Sequence, residues 1–135
     1  MLRWKKTGAF MVACLALGSV LSACAPGSNS PVDLTAKDSG SRQTLAVGQQ
    51  LRVTLDANPT TGYQWSVDGS LPAQLKQVGD AVYSTQSTAI GAGGSEVWTF
   101  VGAASGTGTM KLKYWRSFEP TATPVKVFEV QADVH

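Results

Sequence analysis

Histidine is almost missing from this chain: the single one is His135, the last residue. Cysteine occurs twice, as Cys14 and Cys24, both near the start. With no His or Cys within the core and the one His at the chain's last position, neither a Ser–His nor a Cys–His nucleophile can be assembled. No thiol remains there for a disulfide or a metal site either. Charge is sparse at 15%, and the nine acids are scattered, with no calcium-binding loop among them. Asp56, Asp68 and Asp80 sit at the ends of alternating runs, where a solvated turn carboxylate is the ordinary reading. The glycines of GAGGS lack the Lys-Ser/Thr of a phosphate loop. The residue types therefore argue against an enzyme, a metal centre or a bound cofactor.

What is present falls into three regions. MLRWKK opens the chain with Arg3, Lys5 and Lys6, an uncharged apolar stretch follows, and then LSAC, Leu21 to Cys24. A positive start, a short apolar run and small residues mark an export signal, and the run falls short of the roughly 20 residues of a spanning helix. LSAC resembles the lipobox of bacterial lipoproteins. That resemblance implies removal of residues 1–23 and lipid on Cys24, hence a membrane-anchored protein of the cell envelope. Ala25 after the Cys points to the outer membrane facing the periplasm. Removing the signal takes away three of the eleven basic residues and no acid, leaving eight against nine and a net charge of −1. The basic character belongs to the signal, so no nucleic-acid partner is expected. Residues 24–40, rich in Pro, Gly, Ser and Asn, read as a flexible tether.

From Ser41 to His135, short runs alternate apolar and polar residues between turn signals, the period of β-strands. In QQLRVTLDA, Leu51, Val53 and Leu55 share a face; in GYQWSV, Tyr63, Trp65 and Val67; in GTMKLKYW, Met110, Leu112 and Tyr114. SEVWTFVG is apolar on both faces and reads as central. LKQVGDAVYS is one irregular strand or two. In TPVKVFEV the apolar face shifts between Val127 and Phe128, as a bulge would make it do. The expectation is an all-β, Ig-like antiparallel β-sandwich of seven to eight strands, with a barrel as the alternative.

In that topology three unusual loops meet at one end. The first is Asn58, Pro59, Thr60, Thr61, Gly62 and Tyr63, stiffened by proline and by β-branched hydroxyl residues. The second holds Gly91, Ala92, Gly93 and Gly94, whose bare backbone suits a close approach. The third holds Tyr114, Trp115, Arg116, Ser117, Phe118 and Glu119, and Trp and Arg are enriched at binding hot spots. Each has a plainer reading: a stiff turn, a loose hairpin end, aromatics capping the core. The opposite turns, AVGQQ, DGSLPAQ and AASGTGT, are ordinary. One elaborate end on a plain scaffold is how a loop-built binding edge is organised.

NPTTGYQW, GAGG and YWRSFE, in this order, resemble the motifs of the chagasin-type inhibitors of papain-like cysteine peptidases, over roughly Ser41 to the C-terminus. In the third motif, Ser117 and Phe118 stand where the family has Pro and Trp, which loosens the loop and removes an indole N–H. The resemblance implies a monomeric, tight, reversible, competitive inhibitor, with the first loop as a wedge in the catalytic cleft and the other two gripping its sides. The target would be a papain-like peptidase of the cell itself, a host or a competitor. The alternatives are a structural or adhesive Ig-like envelope lipoprotein, and a small-ligand binder or enzyme.

Overall fold

The computed structural model describes residues 29–85 and 87–135. The export signal, the lipobox and Cys24 lie outside the described residues. Nine strands form in chain order: β1 Val32–Thr35, β2 Ser41–Leu45, β3 Gln50–Ala57, β4 Gln64–Val67, β5 Leu75–Gln77, β6 Val82–Ser84, β7 Gly94–Gly102, β8 Gly106–Trp115 and β9 Lys126–Val134. One sheet runs β1-β3-β7, with β5 and β6 following each other along the far edge of β7; the other runs β2-β9-β8-β4.

The core is the sum of the period-2 faces. Leu51, Val53, Leu55 and Ala57 of β3 face inward with Trp98 and Phe100 of β7. Across the sandwich they meet Met110, Leu112 and Tyr114 of β8 and Phe128, Val130, Ala132 and Val134 of β9. Each sheet thus hides one face and leaves the other polar, which is the sandwich solution. On the outer face of the second sheet, Arg42 pairs with Asp133 at 2.8 Å and Lys111 with Glu129 at 3.3 Å. Such solvated pairs add little stability each.

The sandwich agrees with the period-2 reading, and four details depart from it. The supposed tether is ordered from Val32: β1 lies parallel to β3, Leu34 is 4% exposed, and Asp33 binds Arg52 at 2.7 Å. A 3-10 turn, Ala36–Asp38, then crosses to the other sheet, its Thr35 N–H capped by the Asp38 carboxylate at 2.8 Å. Secondly, the pairing is not wholly antiparallel, since β2 also runs parallel to β9. Thirdly, the irregular segment resolves into β5 and β6, and with β1 added nine strands stand where seven or eight were expected. Fourthly, β9 has no bulge. It pairs with β8 in unbroken register from Lys126 to Val134; Val125 and Val127 are simply exposed, and the inward face starts at Phe128.

The register fixes which loops share a pole. The rungs Ala57–Gly94, Gln64–Trp115 and Tyr114–Lys126 all lie at one end of the sandwich. Beyond them extend the segments 58–63, 87–93 and 116–125.

Candidate functional site: a three-loop pole

The first loop is a single 3-10 turn, Pro59–Thr61, and Asn58 organises it. Pro at the first helical position has the right φ and no N–H to leave unpaired. The Asn58 Oδ1 accepts from the Thr60 N–H at 3.2 Å and from the Thr60 hydroxyl at 2.5 Å. The Asn58 carbonyl accepts from the Thr61 N–H at 3.1 Å and the Thr61 hydroxyl at 2.6 Å. Gly62 closes the turn at φ 80°, a left-handed conformation that costs other residues about 1–2 kcal/mol. Its N–H returns to the Pro59 carbonyl at 3.1 Å. Both threonines remain exposed, so the tip is polar, convex and internally saturated.

The loop is rooted from below. Tyr114, 6% exposed, accepts the Asn58 N–H on its phenol oxygen at 2.9 Å. Its ring stacks on Tyr63 at 5.4 Å and leans on Trp65 at 5.1 Å. Trp65 Nε1 donates to the Asp56 carbonyl at 3.0 Å, tying the end of β3 to the start of β4. Aromatic stacking and a satisfied phenol hold the base rigid.

The second loop docks on the first. Ala89–Ala92 forms a turn closed by the Ala92 N–H to the Ala89 carbonyl at 3.1 Å, with Gly91 at φ 78°. Asn58 Nδ2 donates to the Gly91 carbonyl at 3.1 Å, so one side chain organises two loops. Ile90, at the apex, is fully exposed. Gly94 is the first residue of β7 and not part of the loop; a Cβ there would overlap the Ser84 carbonyl of β6.

The third loop comes in from the other side. Its backbone turns are closed by Glu119 N–H to the Arg116 carbonyl at 3.1 Å and Ala122 N–H to the Glu119 carbonyl at 2.9 Å. The Arg116 guanidinium lies 4.6 Å above the Tyr63 ring and 3.4 Å from Glu119. Phe118, 65% exposed, rests its ring edge over Gly62, where a Cβ would stand 2.9 Å from Cε1. Ser117 is exposed beside it.

Of the residues singled out in the sequence, Asn58, Pro59, Thr60, Thr61, Gly62, Gly91, Ala92, Gly93, Arg116, Ser117, Phe118 and Glu119 stand in the three loops. Tyr63 and Tyr114 form the floor beneath them. Trp115 lies on the outer face of the second sheet, its Nε1 bound to Ser66 Oγ at 2.8 Å and its ring under Lys113 at 4.1 Å. Sequence reasoning missed Ile90, a large aliphatic residue between Ala89 and Gly91 in a loop of small residues, which is itself a signal. Glu96, in register with inward-facing Leu55, has its carboxyl pushed above the usual range by burial, and the Trp98 indole opposes the shift weakly. Among the described residues no three His, Cys, Asp or Glu gather to hold a metal.

Residues 44–132 match the model of the chagasin family peptidase inhibitors, family I42. Chagasin of Trypanosoma cruzi is 31% identical over 87 residues, 62% of this chain and 79% of that protein. Amoebiasin-1 of Entamoeba histolytica is 30% identical over 104 residues, 76% of this chain and 99% of that protein. A solved structure of the cysteine protease inhibitor EhICP2 from Entamoeba histolytica superposes with a TM-score of 0.68, over 78% of this chain and 96% of that one, at 19% identity. The chain belongs to the chagasin family of peptidase inhibitors.

Proposed function

We infer that this chain is a reversible, tight-binding, competitive inhibitor of papain-family cysteine peptidases, and that the three-loop pole covers the catalytic cleft. The observation that carries this is the 3-10 turn Pro59–Thr61 at the centre of that pole. A peptidase cleaves an extended segment whose carbonyl meets the thiolate in line. A helical turn locked by Asn58 offers no such near-attack geometry. It fills the cleft and is not cut.

The hydroxyls suit the target's chemistry. Thr60 and Thr61 both direct their hydroxyl protons inward, to Asn58. Their lone pairs are left for a partner, and a catalytic imidazolium is a donor. A rigid tip also loses little entropy on docking. Gly91 to Gly93 and the Arg116–Phe118 edge flank the wedge and supply the remaining contact area. The LSAC motif supports a further part of the reading, that the mature protein is an envelope lipoprotein acylated on Cys24.

Titrating the chain against papain and cathepsin L with a fluorogenic substrate tests the function. The expected result is stoichiometric inhibition that raises KM and leaves kcat alone. The double variant Thr60→Ala, Thr61→Ala should inhibit at least about tenfold less, a loss of roughly 1.4 kcal/mol or more, while unfolding at an unchanged urea midpoint. Full inhibition by that variant would remove the wedge from the mechanism.

A further inference from the structure

The chain enters the sandwich at the pole opposite the three loops. Because β1 runs parallel to β3, with Val32 beside Leu51 and Thr35 beside Thr54, it starts at the far end and climbs toward the NPTTG turn. Ser30 is held at that far end by Gln49 Nε2, which donates to its carbonyl at 2.8 Å. The far pole is made of the turn 46–49, the segment 72–74 and the turn 103–105; Gly48 N–H binds the Gly102 carbonyl at 2.8 Å and Ala103 N–H the Gln74 carbonyl at 2.8 Å. His135 joins this pole, its N–H on the Leu45 carbonyl at 2.9 Å and its carbonyl accepting the Val47 N–H at 3.0 Å; the three turn segments themselves hold no Lys, Arg, Asp or Glu.

We propose that this far pole is the face the domain turns toward a lipid bilayer, so that the inhibitory loops point away from it. The proposal rests on the reading of Cys24 as the acylated residue. Chain geometry then decides the orientation. Only Ala25–Asn29 separate Cys24 from the fixed Ser30, and six Cα steps span at most about 22 Å. The ten residues of β8, which run from pole to pole, measure about 33 Å at the usual strand rise. The link is too short to run the length of the sandwich and let the loops face the lipid. The turns of this pole carry no Lys or Arg to seek anionic headgroups, so the acyl chains hold the protein at the membrane. The bound inhibitor would therefore stand ready for peptidases free in the surrounding compartment.

The test uses the full lipidated protein in phosphatidylcholine–phosphatidylglycerol vesicles carrying a headgroup energy acceptor. One dye is attached through Ala104→Cys at the far pole and, in a separate protein, through Thr121→Cys at the loop pole. The Ala104 dye should lose most of its emission and the Thr121 dye keep most of it, at low and high salt alike. Equal transfer from both positions, or more from Thr121, overturns the orientation. A Cys24→Ser protein should no longer float with the vesicles; if it floats as well as the parent, the anchoring premise fails. Inhibition of papain should be equal for vesicle-bound and detergent-solubilised protein. A loss confined to the vesicle-bound form counts against outward presentation. Absence of inhibition in both forms would instead overturn the peptidase-inhibitor reading.

Discussion

At the residue scale the site depends on two small decisions in the chain. Asn58 spends its carbonyl, its side-chain oxygen and its side-chain nitrogen on Thr61, Thr60 and Gly91, so it shapes the wedge and docks the second loop at once. Gly62 answers two demands, a left-handed φ and space under Phe118. Gly62→Ala should weaken inhibition by about tenfold, since a left-handed non-glycine residue costs on the order of 1–2 kcal/mol. Adding Phe118→Ala relieves the overlap but not the φ, so the double variant should not recover; inhibition constants for both, against papain, check this. Much of this chemistry was legible from the residues: the proline, the paired threonines and the closing glycine announce a stiff turn. The floor was not legible. Tyr114 lies 56 residues from Asn58 in the chain, and only the fold brings its phenol oxygen to the Asn58 N–H. Ile90 was not legible either, because glycine-rich flanks mark a loop without saying which of its side chains stands outward.

At the element scale, β1 is the addition that alternation did not reveal. VDLT shows one turn of the period-2 pattern between Pro31 and the polar Ala36–Ser39 segment, too little to separate a strand from a linker. Its evidence is tertiary, in Leu34 against the core and Asp33 on Arg52. A chain beginning at Ser41 should therefore lose about 1.5–3 kcal/mol, the worth of burying one leucine, visible as a lower urea midpoint. An unchanged midpoint would make β1 an ornament. The long strands β3 and β8 were legible because each shows three or more alternations, and β7 because its apolar run lies between glycine-rich turns. Parallel pairing was not, since the period is the same whichever way the neighbour runs. In β7, Glu96 adds a pH signature. Burial favours its neutral form, so its folded value lies above its unfolded one. Between those values the native state holds a proton that the unfolded chain has released, and stability falls as pH rises through that window. Below it both states are protonated and no loss is felt. Glu96→Gln should accordingly raise the urea midpoint near neutral pH and leave it unchanged well below the ordinary glutamate range. A gain of the same size at both would assign the effect to packing.

At the scale of the whole molecule, the sandwich separates two tasks between its poles. The register of β3, β7, β8 and β9 gathers three loops at one end, and β1 brings the incoming chain to the other. The scaffold between them is held by the shared apolar core, with its ion pairs confined to solvent faces. If the loop pole closes a catalytic cleft without being cut, the target's own thiol reports on it. The measurement is the rate at which iodoacetamide alkylates the active-site cysteine of papain as the chain is added. Alkylation should slow in proportion to added chain and nearly stop at equivalence, with the chain recovered intact, whereas the Thr60→Ala, Thr61→Ala variant should protect poorly. Alkylation that proceeds at its full rate in the presence of excess folded chain would contradict it.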